Sequence, residues 1–202
     1  LGLIGSPIEA ETIILERDLQ LVRLTGARYH AAHLTTAVSV DAVRRAKNEG
    51  LPVTADTSAP YFQLNELAIS TYSSAAKLNP PLRTEDDRQA IVAALADGTI
   101  DVIASDHVPV NPDMKHLPFS LASCGASGLE VMLVMTLRLV LDEVISWQRA
   151  FELLSLAPAT ILDIPGGSLT VGSDADIVLI DPKTSWIITG RDFNSLSRIT
   201  PF

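Results

Sequence analysis

Residues 100–110, "IDVIASDHVPV", carry an apolar run into Ser105, Asp106 and His107 before proline stops the segment. A carboxylate at the end of a buried strand can cap a turn. It can also ligate a metal and move protons. A second candidate lies in "HAAHLTT", where His30 and His33 follow another short apolar run. In a continuous strand side chains alternate, so these two histidines point to opposite faces and one alone can face a site. Neutral imidazole and carboxylate are the usual zinc ligands of hydrolytic sites. Two such ligands, His33 and Asp106, are too few for spacing alone to define a centre. Asp56, in "LPVTAD", reads as a structural polar residue below the site, with no catalytic role. Lys115 and His116, in "DMKHLPF", read as part of a solvated loop over the site. Cys124 has no base near it in sequence and reads as a small loop residue, while Trp147 and Trp186 read as packing residues.

Helix–strand alternation must position these residues. "SPIEAETIILERDLQLVRLTGA" has Ser6 as N-cap, Pro7 in the first helical position and Gly26 as its stop. A strand at 29–33 follows. "SVDAVRRAKNEG" is a second helix stopped by Gly50, followed by a strand at 52–55. "TEDDRQAIVAALADGT" is a third, capped by Thr84 with Asp87 three positions on, and it leads into a strand at 102–104. This order indicates a parallel α/β sheet, whose chemistry lies at the carboxyl ends of strands. His33, Asp56 and Asp106 all fall at such ends. Beyond Gly128 come helices near 129–142 and 147–155, then a short "PATIL" helix. "PGGSLTVGSDADIVLIDP" changes character, with glycine turns and an alternating strand at 177–180 that would begin a small β subdomain. The predicted division is 1–164 for the barrel part and 165–202 for that subdomain and the closing loops.

Composition narrows the partners. Hydrophobic residues make up 47% of 202, enough for one good core, and the net charge of −9 comes with no basic stripe. Nucleic acid and anionic membrane surfaces are disfavoured. One cysteine permits neither an internal disulfide nor a cysteine zinc cluster, which fits a reducing, cytoplasmic setting. The longest apolar run, "VMLVMTLRLVL", is broken by Arg138 and too short to span a bilayer. The opening "LGLIGSPIEAETI" and the close "LSRITPF" read as the interior of a longer chain.

Four stretches carry a resemblance: "HAAHLTTAVSVDAVRRAKNEGLPVTAD", "KLNPPLRTEDDRQAIVAALADGTIDVIASDH", "GASGLE" and "PGGSLTVGSDADIVLIDP". Together they resemble the dihydroorotases of the amidohydrolase superfamily, with "NPPLR…DR" and "SDH" the most specific parts. Allantoinases and hydantoinases are close relatives. The resemblance implies the second half of a (β/α)₈ TIM barrel of the metal-dependent hydrolase type, with part of a small β-sandwich. It implies one or two zinc ions and the reversible cyclisation of N-carbamoyl-L-aspartate to dihydroorotate. By resemblance His33 is a metal ligand at the end of strand five. Asp106 is the ligand at the end of strand eight and the general acid/base. Asn79 hydrogen-bonds the substrate ring, and the backbone around Cys124 and Gly125 contacts it.

The pattern also departs from the family. Its N-terminal His-x-His pair, bridging lysine or aspartate, fourth-strand histidine and substrate-binding arginine would precede Leu1. The usual "PHH" after the sixth strand is replaced by "APYF", residues 59–62, and a histidine four residues after the aspartate is replaced by Val110. Three readings therefore stand. One is a zinc-dependent dihydroorotase. The second is a non-catalytic homologue that serves as a scaffold for aspartate carbamoyltransferase. The third is another cyclic amidase. Partners on these readings are a small cyclic amide, a second copy of the chain or aspartate carbamoyltransferase. The isolated 202 residues are expected to be inactive.

Overall fold

The computed structural model describes residues 2–185, 187–189, 191 and 193–202. Helix α1 (Glu9–Thr25) buries Leu15, Leu19 and Val22, spaced four and three apart on one face. It ends at Gly26, whose φ of 68° is the left-handed turn that glycine adopts without a Cβ penalty. Its start lies later than the Ser6–Pro7 signal predicts. Ile8 precedes the first turn with no side-chain cap, and the Ser6 carbonyl accepts from Arg83 instead.

Strand β1 (Tyr29–Ala31) leads to helix α2 (Ala37–Asn48), whose N-cap Thr36 accepts from the Ser39 N–H. Strand β2 (Val53–Ser58) runs directly into a short helix α3 (Ala59–Gln63). Two 3₁₀ turns follow, Glu66–Ile69 and Ser74–Ala76. Helix α4 (Glu85–Asp97) has the predicted capping box: Thr84 accepts from the Asp87 N–H, and the Asp87 carboxylate accepts from the Thr84 N–H. Strand β3 (Val102–Ala104) spans the expected residues. Beyond it lie α5 (Pro112–Lys115), α6 (Leu129–Leu141), α7 (Trp147–Phe151), a π-helical turn (Glu152–Leu156) and α8 (Ala157–Leu162).

The strands form one parallel sheet in the order β1-β2-β3. The register is staggered. Residues 53–55 of β2 pair with 29–31 of β1, whereas residues 56–58 pair with 102–104 of β3. Helices α1, α2 and α4 pack in sequence, with Leu19, Val43, Ile91, Leu95, Ile100, Val131 and Leu153 inaccessible to solvent in the core. The fold is therefore a helix-rich α/β arrangement on a small parallel sheet. The resemblance separates the strands of Asp56 and Asp106 as sixth and eighth. Among the described residues no strand intervenes, and β2 pairs with β3 directly.

Residues 177–180 do not form the alternating strand that their pattern predicts. They are irregular, with Ile177, Val178 and Leu179 well exposed. A strand needs a neighbour to satisfy its backbone, and none of the described residues pairs with these. Trp147 stacks on Phe151, ring centroids 6.2 Å apart, at a half-exposed surface. Trp186 lies outside the described residues. No helix among the described residues is long and apolar enough to cross a membrane.

Candidate active site

His33 does not belong to a strand. β1 stops at Ala31, and His33 turns into the left-handed region with φ 57°. The alternation rule therefore fails here, and His30 and His33 both reach Asp56. His30 Nε2 lies 2.9 Å from Asp56 Oδ2, and His30 Nδ1 lies 2.7 Å from Thr54 Oγ1. The His33 backbone N–H donates to Asp56 Oδ1 at 2.8 Å. His33 Nδ1 is 3.0 Å from the same oxygen, off the line of a straight hydrogen bond. Burial pushes the Asp56 carboxyl up, but the hydrogen bonds from His30 and His33 outweigh it and hold the group at about 2. The same carboxylate raises the His33 imidazole, against its burial and with help from Asp106.

The loop that carries His33 is clamped from other elements. Glu11 of α1 accepts from the Thr35 N–H and from the hydroxyls of Thr35 and Thr36. Asp87 of α4 accepts from the Ala37 N–H at 2.9 Å. Arg83, from "NPPLR", donates to Thr35 Oγ1 and to the Ser6 carbonyl and lies 3.9 Å from Glu11.

Asp106 also has a left-handed backbone, φ 44°. Non-glycine residues held there store strain, and such positions cluster at functional sites. Its Oδ1 is 3.9 Å from His33 Nε2, so the two residues singled out by the sequence do converge. Its Oδ2 is 3.5 Å from the Tyr61 hydroxyl, which donates to the Pro80 carbonyl at 2.8 Å. Burial, and then the negative charge of Asp106, push the Tyr61 phenol well up, so it stays a neutral donor. His107 answers a different need. Its Nδ1 accepts from the N–H groups of Gly128 and Leu129 and so caps α6.

The loop with Cys124 and Gly125 packs against this strand end. A Cβ on Gly125 would lie 2.6 Å from a Val108 methyl, and one on Gly128 would lie 2.1 Å from the Ser105 carbonyl. Gly125 N–H donates to the Lys77 carbonyl, which ties the loop to the segment bearing Asn79. Asn79 and Cys124 are exposed, and Asn79 precedes the proline whose carbonyl takes the Tyr61 hydroxyl.

Lys115 overturns its solvated-loop reading. It is 1% exposed, and its Nζ donates to the carbonyls of Ser74 and Lys77. Its neighbour His116 is exposed. A lysine in a polar run gives no local sign of burial, because the carbonyls that satisfy it come from a distant segment. The joint role of His30 and Asp56 was equally hidden by the assumption of a continuous strand.

The donor types at this strand end suit a hydrolytic metal. His33 Nε2 faces the Asp106 carboxylate. Among the described residues no three His, Cys, Asp or Glu side chains converge on one metal position. The chain thus supplies two candidate ligands.

The amidohydrolase family matches residues 6–199. The chain is 47% identical, over all 202 residues, to the dihydroorotases of Syntrophotalea carbinolica and Desulfotalea psychrophila. It spans about half the length of the curated relatives it matches, 48% of each of these two. Among solved structures, the L-hydantoinase (dihydropyrimidinase) from Arthrobacter aurescens is similar with a TM-score of 0.92 at 27% identity. That match covers 98% of this chain and 45% of the hydantoinase. The dihydropyrimidinase from Brevibacillus agri NCHU1002 gives 0.90 at 26% identity, over 97% of this chain and 45% of that one.

Proposed function

The chain belongs to the amidohydrolase family, and from that premise we propose that it is part of a dihydroorotase and carries two of its metal ligands. The longer protein would open dihydroorotate to N-carbamoyl-L-aspartate and close it again. The observation that carries this reading is the approach of His33 Nε2 to Asp106 Oδ1, 3.9 Å apart at the ends of two parallel strands. The dihydroorotase relatives, at 40–47% identity along the whole chain, favour this substrate over the hydantoin-type rings of the structural neighbours at 26–27%.

Residues 1–164 form, on this reading, the second half of a (β/α)₈ barrel, supported by the parallel order and by the register stagger that barrel closure requires. Residues 165–202 belong to a small β-sandwich and the closing loops. Zinc fits the donors present, with His33 and Asp106 as ligands. When bound, it would polarise the amide carbonyl and activate the attacking water.

The chain's own groups do the rest. Asp106 takes the proton of the attacking water, and as the ring C–N bond breaks it returns that proton to the leaving nitrogen. Tyr61 keeps its own hydrogen on the Pro80 carbonyl and leaves Asp106 free to act. The Asn79 amide and the backbone at Cys124 and Gly125 hold the ring, with Asn79 and Cys124 exposed beside the same strand end.

The test is zinc analysis and a dihydroorotate hydrolysis assay on one preparation of the full-length protein. Stoichiometric zinc with turnover is expected. Asp106→Asn should lose at least about 10²-fold in turnover, the lower range for general acid–base catalysis. A metal-free, inactive full-length protein would overturn the reading.

A further inference from the structure

We infer that Asp56 is a positioning residue that fixes the tautomers of His30 and His33 together and so directs the Nε2 lone pair of His33 toward Asp106. The inference rests on the reading of His33 as a metal ligand. Asp56 is 6% exposed and lies in the middle of β2, one strand away from each of the two ligands. An ionised carboxylate only accepts hydrogen bonds. Each ring nitrogen that faces it must therefore carry the proton. That assigns the proton to Nε2 of His30, hydrogen-bonded at 2.9 Å, and to Nδ1 of His33, in 3.0 Å contact off the line of a straight hydrogen bond. The other nitrogen of His30 is satisfied by Thr54 Oγ1, which can donate its hydroxyl hydrogen.

For His33 the consequence is chemical. With Nδ1 protonated, Nε2 is the nitrogen left with a lone pair, and it faces Asp106 Oδ1 at 3.9 Å. Two ligand atoms of one tetrahedral zinc lie about 3.4 Å apart, given bond lengths near 2.1 Å. The pair as it stands is within half an ångström of that. Asp56 also accepts the His33 N–H, so one carboxylate holds both the ring and the left-handed backbone that aims it. Outer carboxylates that orient a histidine ligand in this way raise its basicity and fix its ring.

Histidine ¹⁵N NMR of the metal-free full-length protein at pH 9 tests the inference. His33 is expected in the Nδ1–H form and His30 in the Nε2–H form. Asp56→Asn should mix the His33 tautomers and weaken zinc about 10- to 100-fold in a chelator competition. The spectrum of the unsubstituted protein decides even if the variant fails to fold, because an Nε2–H form of His33 there overturns the inference. So does a folded Asp56→Asn protein with unchanged tautomers and zinc affinity within twofold. If the unsubstituted protein takes up no zinc, the dihydroorotase reading falls. The tautomer result still stands or falls separately.

Discussion

After β1, residues 33–37 are gripped by carboxylates reaching in from three other elements, Asp56 of β2, Glu11 of α1 and Asp87 of α4. After β3, residues 105–108 are gripped by close backbone approach, with Gly125 and Gly128 pressed onto Val108 and Ser105. Both strand ends hold a non-glycine residue at positive φ, His33 in one and Asp106 in the other. The first is kept there by charge and hydrogen bonds, the second by shape. The difference suits the roles proposed for them. A ligand needs its ring orientation fixed, which directed hydrogen bonds do. A proton carrier needs its carboxylate left open, and steric packing holds the backbone without spending the carboxylate's acceptors.

Breaking the shape side should cost most. Gly128→Ala puts a methyl 2.1 Å from the Ser105 carbonyl, so the strand end must move. We expect about 3 kcal/mol of lost stability. A urea midpoint within a few tenths of a molar of the parent would show that this contact yields freely.

The charge side should show in acid. Asp56 is held at about 2, below the ordinary carboxylate range. A lowered folded value means that the stabilisation is fully present above about pH 4 and is lost as pH falls through 2. The size is on the order of 2 kcal/mol. Thermal melts from pH 5 to pH 2 should record that loss, and Asp56→Asn should flatten it. An unchanged acid limb in the variant would assign the pH response to other groups.

Glu11→Gln leaves the loop packing intact but removes a charged acceptor from Thr35 and Thr36. About 1–2 kcal/mol of destabilisation is expected. Equal sensitivity to added salt in parent and variant would argue that the charge contributes nothing. The smallest effect belongs to Asn79→Ala, which touches neither clamp. It should raise KM about tenfold, the equivalent of about 1.4 kcal/mol, with zinc content unchanged. A fall in bound zinc instead would place Asn79 in the support of the metal site.

Local signals settled much of this protein. The capping box at Thr84 and Asp87 defines the start of α4, and glycines 26 and 98 close α1 and α4, because caps depend on a few adjacent residues. The strand at 102–104 and the acid at its end were legible for the same reason, and "SDH" with "NPPLR" marked the family. What depends on distant partners was not legible. Residues 177–180 alternate as a strand should, yet alternation cannot supply the neighbouring backbone that makes a strand. Lys115 is polar and nonetheless buried, because two carbonyls from residues 74 and 77 satisfy its ammonium. His30 and His33 share one acid because β1 ends two residues early and the chain turns left-handed, bringing to Asp56 a ring that a straight strand would have pointed away. The sequence by itself determined the longer helices, the strand at 102–104 and the donor types. The tertiary structure decided which donors meet, because a hydrogen bond between residues more than twenty positions apart exists only once the sheet has aligned their strands.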